Sequence, residues 1–454
     1  MASLLDLIGE TPLVEVSRFA LGGCRLFLKL ESQNPSGSIK DRPARAMIAA
    51  AEAEGRLKSG GTIVEATAGN TGLGLALVGA RKGYPTILVM PDKMAREKVL
   101  HCKALGAEVI LTRSDVGKGH ADYYQDLAQA IAGRTPGAVY INQFANPANP
   151  QAHEDTTGPE ILRQMDGDVD AVVVGVGSGG TLTGIGRFMR KASRKTRMIL
   201  ADPEGSVLAP YVKTGRLGQA GSWVVEGIGE DFIPPNADLS LVDDAYSISD
   251  QESFATAREL LRLEGILAGS SSGTLLATAL RYCRAQDKPQ RVVTLVADSG
   301  AKYLSKVFSD TFLAQEGFIE RRRHGTVRDL VINRYSEGAA VFVRPEDSLR
   351  TVFARMRTTD VSQMPVLDDD RVVGIIDDSD LLCALITDGT ERAFDRPVKE
   401  VMATRLETIP ASAPIAALIA LFRQGYVGIV MENGRFLGLV TPFDLINHFR
   451  IAPR

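Results

Sequence analysis

The sequence predicts an α/β protein, two α/β subdomains on mainly parallel sheets, followed by a smaller α+β module. Two observations carry that expectation. From residue 60 to 300, short apolar runs rich in Val and Ile alternate with helical patterns, the order that puts helices on both faces of a parallel sheet. The last part of the chain instead contains one internal duplication, as expected of units that cannot bury their apolar faces alone.

The elements follow in order. GTIVEAT (61–67) reads as a strand leading into a helix over NTGLGLALVGARKG, TILVM as a strand before REKVLHCKALG, and AEVILT as a strand before ADYYQDLAQAIAG. AVVVGVG (171–177) leads to a helix starting near Thr181, and MILAD and VVTLVAD add two further strands. Ligands of such folds gather at the carboxyl ends of strands, where the N–H groups of the next helix point outward. Taken alone, TAGNT and AGSSSGT also read as ordinary turns, with Asn, Thr or Ser capping the next helix.

GFIERRRHGTVRDL, with three consecutive arginines, reads as a linker. It divides the chain into 1–315, a linker at 316–326 and a module at 327–454, with a smaller subdomain near 42–146 in the first part. The module repeats as 327–390 and 397–450. Gly374 and Gly438 share the offset that relates Asp380 to Asp444, and Pro345 matches Pro410 with a one-residue indel. Each repeat predicts a strand, an amphipathic helix, a two-strand hairpin and a helix.

Composition excludes several classes. A net charge of −3 leaves no excess of Lys and Arg to neutralise phosphates, so no nucleic-acid partner is expected. MASLLDLIGETPL lacks a basic segment before its apolar residues, so it does not read as a signal peptide. No apolar run reaches spanning length, so no membrane partner is expected. Cys24, Cys102, Cys283 and Cys383 are scattered, and the five histidines show no ligand spacing. Reduced thiols, a cytoplasmic location and no metal follow as expectations.

Four short stretches carry candidate chemistry. In GVGSGG, Gly175, Gly177 and Gly180 form a literal G-x-G-x-x-G after an apolar strand, and Asp202 follows at about twenty residues, where a ribose-binding acid stands in a dinucleotide fold. A nicotinamide enzyme is thus one reading. ESQNPSGSIKDRPARAMI sets Lys40 in a Ser/Gly tract just before a helix, where Gly37 and Ser38 allow close approach of a ligand. At TAGNT several N–H groups and two hydroxyls converge, which suits a carboxylate. At ILAGSSSGT small residues precede another helix. Together the four supply an amine, a carboxylate pocket, a phosphate cradle and a small hydroxyl, a set that fits a lysine-bound pyridoxal phosphate better than a dinucleotide.

In this order, NPSGSIKDR, TAGNTGLGLA, NQFANPANPQAHEDTTGPEI, GVGSGGTLTGIG, EGIGEDFIP and GSSSGT resemble the β-family, fold type II, of pyridoxal-phosphate enzymes. The duplicated segment resembles a tandem CBS-repeat, or Bateman, module over 327–450. The resemblance implies that Lys40 bonds covalently to the cofactor and serves as acid and base. It also implies that Asn70 meets the cofactor's 3′-oxygen, and that Gly177, Ser178, Gly179, Gly180 and Thr181 hold its phosphate. Ser271 would face the pyridine nitrogen. Thr67, Ala68, Gly69, Thr71 and Gln143 would hold the substrate carboxylate, with Glu226 and Gly227 in the loop beside the amino-acid substrate.

The activity so implied is β-replacement: L-serine or O-acetyl-L-serine joined to L-homocysteine to give L-cystathionine, with hydrogen sulfide release from cysteine as a side reaction. Joining O-acetylserine to sulfide is the alternative. Ala68, where the commoner pattern has Ser, leaves the donor open, whereas Glu226 and the appended module favour the homocysteine reaction. The family's animal members carry a haem-binding extension; here the pattern starts at LLDLIGETPL, so no haem is expected. Bateman modules commonly bind adenosine-containing ligands, so S-adenosylmethionine, AMP or ATP is an expected effector, held by Thr441 and Asp444 in repeat two. In repeat one Asp377 replaces the hydroxyl residue. The resemblance also implies a homodimer or homotetramer. A non-catalytic adenine-nucleotide sensor is a remote alternative.

Overall fold

The structure, a computed structural model, describes residues 3–67, 69–319 and 324–451. The chain divides into two compact units, Met1–Ser309 and Asp310–Arg454.

The first unit holds two sheets. The smaller has four strands in the order Glu108–Thr112, Thr86–Pro91, Thr62–Ala66, Ala138–Tyr140, all parallel. The larger has six, in the order Leu13–Glu15, Arg25–Lys29, Arg291–Leu295, Ala171–Gly175, Arg197–Pro203, Asp244–Ile248. Only its first pair is antiparallel. The central strands are buried on both faces, which is why they read as unbroken β-branched runs rather than alternating ones; Ala171 to Val174 are fully buried.

The predicted strand-to-helix turns lie at the carboxyl ends of these strands. Thr62–Ala66 runs into the helix Asn70–Lys82, and Ala171–Gly175 into Gly180–Ala192. The caps differ from the simplest sequence reading. Gly69 and Gly269 occupy the cap positions of Asn70–Lys82 and Ser270–Arg284, and neither helix has a side-chain cap. The first N–H groups of these helices therefore look to groups outside the cap position, as the Gly72 N–H does to the Thr67 hydroxyl at 3.3 Å. Asp202 ends its strand and accepts the Ala209 N–H at 2.8 Å at the start of the next helix, so it serves the local chain rather than a ribose.

The second unit carries the two repeats. Repeat two shows the full predicted series: strand Thr408–Pro410, helix Ala417–Arg423, hairpin Gly428–Glu432 and Arg435–Val440, helix Pro442–Ile451. Repeat one has the helix Leu349–Thr359, the hairpin Gln363–Asp368 and Arg371–Asp377, and the helix Asp378–Asp388, but its first strand shrinks to one bridge, Val343 to Val366. Val343 donates to the Pro365 carbonyl at 3.1 Å and accepts from Leu367 at 2.8 Å. The next rung on either side would need an N–H from Pro345 or Pro365, which neither proline has.

Candidate active site

Lys40 sits immediately before the helix Asp41–Ala53. The tract leading to it is pinned to the larger sheet: Ser38 bridges Asp298, and the Ile39 N–H donates to the Ala297 carbonyl at 2.9 Å. Asp41 is buried and accepts from the Ser36 N–H at 2.7 Å and from its hydroxyl. The lysine thus rides on a rigid turn. Burial holds its amine below the usual lysine range; the Asp298 charge opposes that shift and the Lys98 charge adds to it. A depressed lysine has more neutral amine near pH 7, the form that acts as nucleophile and base.

The glycine loop 175–180 forms a tight cradle. Gly179 takes φ +88°, which side-chain-bearing residues rarely adopt, and a Cβ on Gly177 would lie 2.5 Å from the Gly227 carbonyl oxygen. Ser178 is buried, and its hydroxyl accepts from the Asn149 amide at 2.9 Å. The Thr181 hydroxyl lies 3.3 Å from His153 Nε2, and His153 Nδ1 lies 2.9 Å from the Thr157 hydroxyl. Burial, then the positive charges of Lys40 and Arg42, keep His153 neutral. Bare backbone at the start of Gly180–Ala192, flanked by two hydroxyls, fits a terminal phosphate. With the depressed Lys40 amine in the same unit, the donor set fits pyridoxal phosphate.

In the turn after Thr62–Ala66 the flanking side chains are hydrogen-bonded. The Thr67 hydroxyl accepts from the Gly69 and Gly72 N–H groups at 3.0 and 3.3 Å. Thr71 donates to Gln143 Oε1 at 2.6 Å, and Gln143 Nε2 donates to the Ala66 carbonyl at 3.0 Å. Ala68 lies outside the described residues. Beneath the turn, Glu65 accepts the Gln143 N–H at 3.2 Å and the Ala66 N–H at 3.0 Å. Burial pushes its carboxyl up to about 8.

Of the three serines that start Ser270–Arg284, two serve the protein: Ser270 Oγ accepts the Glu226 N–H at 3.1 Å and Ser272 Oγ the Ala297 N–H at 3.0 Å. The buried Ser271 hydroxyl makes no hydrogen bond among the described residues, so it remains available to a ligand. Glu226 is buried between two amines, Lys98 Nζ at 2.8 Å and Lys306 Nζ at 2.6 Å. Burial alone would raise its carboxyl, but these two charges outweigh burial and hold it below the usual range. Gly227 backs the glycine loop through its carbonyl.

Several residues without a sequence-based assignment join these groups. Asn149 Nδ2 donates to the Gln143 carbonyl at 2.8 Å as well as to Ser178, so it ties Gln143 to the glycine loop. Asp298 Oδ2 accepts from Asn70 Nδ2 at 2.7 Å and from the Tyr303 hydroxyl at 2.6 Å. Lys302 donates to Asn70 Oδ1 at 2.9 Å. Asn149 and His153 stand inside the motif NQFANPANPQAHEDTTGPEI, and Asp298 follows a strand end, so both places carried a signal. Lys98 and Lys306 carried none: each lies in a stretch that reads as an ordinary charged surface.

In the second unit, Thr441 and Asp444 meet at the start of Pro442–Ile451. The Thr441 N–H and hydroxyl donate to Asp444 Oδ2 at 2.8 and 2.7 Å. Asp377 and Asp380 make the matching reciprocal cap in repeat one, at 2.9 and 3.1 Å. Among the described residues no helix is long and apolar enough to cross a membrane, and no group of three or more His, Cys, Asp or Glu gathers as metal ligands.

Comparison with known proteins gives this geometry a family. The profile of the pyridoxal-phosphate dependent enzymes matches residues 4–298, and the CBS domain profile matches 327–387 and 398–451. Cystathionine β-synthase of Dictyostelium discoideum is 35% identical, over 99% of this chain and 92% of its own length. Cysteine synthase A of Escherichia coli K12 is 42% identical, over 68% of this chain and 96% of its own. The crystal structure of a hydrogen sulfide-producing enzyme from Fusobacterium nucleatum superposes with a TM-score of 0.63 at 36% identity, covering 67% of this chain and 100% of that one. The glycine loop, the Lys40 turn and both C-terminal repeats are thus matched almost end to end by one relative, and the chain belongs to the pyridoxal-phosphate-dependent enzymes, among the homologues of cystathionine β-synthase.

Proposed function

We propose that the chain performs β-replacement on L-serine or O-acetyl-L-serine with L-homocysteine as acceptor, forming L-cystathionine, and releases hydrogen sulfide when cysteine is the donor. The observation that carries this reading is the half-buried, depressed Lys40 held on the same frame as Asn70 and the Ser271 helix. Catalysis is assigned to 1–315 and regulation to 327–454, joined by 316–326.

Bound pyridoxal phosphate supplies the electron sink for charge at the substrate Cα. Lys40 would hold it covalently, and Ser178, Thr181 and the backbone of Gly177, Gly179 and Gly180 would hold its phosphate. Asn70 would meet its 3′-oxygen and Ser271 its pyridine nitrogen. A neutral serine hydroxyl cannot keep that nitrogen protonated as a carboxylate would, which favours loss of the β-substituent over transamination. Thr67, Ala68, Gly69, Thr71 and Gln143 would bind the donor carboxylate and align the Cα–H with Lys40. Lys40 Nζ would take that proton and return it to the departing oxygen. Hydroxide needs this proton more than acetate does, so serine would depend on it more strongly. Glu226 and Gly227 would border the amino-acid substrate, with Lys98 and Lys306 fixing the Glu226 carboxylate.

The test is the absorption spectrum of purified wild type and Lys40→Ala, before and after borohydride. A visible band that borohydride reduces onto the wild-type chain, absent from the variant, is expected. A wild type without such a band refutes the reading. The match to cysteine synthase A over 68% of the chain favours O-acetylserine sulfhydrylation as the second reading. Equal turnover of sulfide and homocysteine would select it.

The CBS domains support a regulatory adenosyl ligand, which we assign to Thr441 and Asp444. Calorimetry with S-adenosylmethionine, AMP and ATP checks this, and no heat with any of the three counts against it. A homodimer or homotetramer in the cytoplasm, where a thiol acceptor stays reduced, completes the proposal.

A further inference from the structure

The Asn70 side chain lies between two ionic groups of opposite kind. Asp298 is fully buried, and its Oδ2 takes the Asn70 Nδ2 hydrogen at 2.7 Å. Lys302, also buried, donates to Asn70 Oδ1 at 2.9 Å and to the Gly37 carbonyl at 3.2 Å. A carboxylate only accepts and an ammonium only donates. Turning the amide over would set oxygen against carboxylate and N–H against ammonium, losing two charge-assisted bonds at once. The second Asp298 oxygen, Oδ1, is buried without a hydrogen-bond partner and packs where a Cβ on Gly269 would stand. Such an oxygen is costly to keep.

We infer that Asp298 is a positioning residue that, with Lys302, locks the Asn70 amide in one orientation, so that the cofactor's 3′-oxygen meets a fixed hydrogen-bonding partner. The inference rests on the pyridoxal-phosphate reading above. It also explains why the small residue Gly269 precedes the serine tract: any side chain there would displace the carboxylate.

Holoenzymes of Asp298→Asn, Asp298→Ala and Tyr303→Phe test it through the visible spectrum across neutral to alkaline pH and through cofactor affinity on reconstitution of the apoenzyme. Asparagine keeps the shape of Asp298 but is uncharged and can both donate and accept, so the lock loses its charge and its single polarity on that side. Asp298→Asn is expected to split or shift the visible band and to weaken cofactor binding about tenfold, the scale of one charge-assisted bond. Tyr303→Phe leaves both ionic partners of Asn70 in place and is expected to keep the single wild-type band. Asp298→Ala should match or exceed Asp298→Asn; if it does not fold, Asp298→Asn alone decides. A wild-type spectrum and affinity in Asp298→Asn overturns the inference, as does a Tyr303→Phe change as large as that of Asp298→Asn, which would point to packing. A wild type without a borohydride-reducible band would sink the cofactor reading instead, so the two failures are told apart.

Discussion

The two units bury different things. In the first, charged and polar side chains lie deep: Lys29, Glu31, Arg42, Glu65, Lys98, Glu160, Glu226, Asp298 and Lys302 are all buried. In the second, among the described residues, no polar or charged side chain is buried to that degree, and the core clusters are Val, Leu, Ile, Met, Ala and Phe. Phe443, Ile446 and Phe449 are instead exposed along its last helix. Buried charges weaken a fold unless every partner is in place, so they are kept where a site must be held in one geometry. The first unit trades stability for a shaped site, while the second is ordinary packing in which Thr441 and Asp444 are only partly buried.

The strongest way to break this contrast is to cut one buried charge and one surface charge. Arg42, two residues after Lys40, spans Glu31 at 2.7 Å and Glu160 at 2.6 Å. Arg42→Met should lower unfolding free energy by about 3–5 kcal/mol. Arg396 pairs with Asp388 and Glu400 on the module surface, and Arg396→Ala should cost at most about 1 kcal/mol. Denaturant titration of each variant measures both, and equal losses would erase the distinction.

A pH experiment sharpens it next. Glu65 titrates at about 8 in the folded chain against an ordinary value of 4.5. Between those values the folded state holds a proton that the unfolded state has released. The contribution of Glu65 to stability is therefore full below about 4.5, falls as pH rises, and levels off above about 8, an effect on the order of a few kcal/mol. Glu65→Gln should flatten this slope in thermal melts across the window, and an unchanged slope would show that another group is responsible.

Smaller effects follow at single hydrogen bonds. Asn149→Ala removes the link between Ser178 and Gln143. It should cost about 1–3 kcal/mol of binding, seen in cofactor affinity and in donor KM together. A change in only one would separate the two sites. In the module, Thr441→Ala removes the hydroxyl that accepts the Asp444 N–H and donates to its carboxylate; it should lose about 1 kcal/mol of helix capping, read from the unfolding of the full chain, and should abolish any adenosyl heat seen with wild type.

Part of the site was legible because it is local. The glycine loop, with Ser178 and Thr181, is a strand, a turn and a helix start within a dozen residues, and its ligand preference follows from backbone chemistry. The tract around Lys40 and the turn at Thr67–Thr71 were legible for the same reason. The missing strand of repeat one was half legible: Pro345 and Pro365 are plain in the sequence, but only the pairing register shows that their absent N–H groups flank the same bridge.

The sequence by itself determined the α/β class, the duplication, the glycine loop after its strand and the tight turn that carries Lys40, because each rests on periodicity or on neighbours a few positions apart. Only the tertiary structure decided which distant groups meet: Glu226 with Lys98 and Lys306, Gln143 with Thr71, Asn70 with Asp298 and Lys302. Their charges and orientations depend on burial and on partners far along the chain, and no local pattern encodes a contact that is made only when two sheets bring their strand ends together.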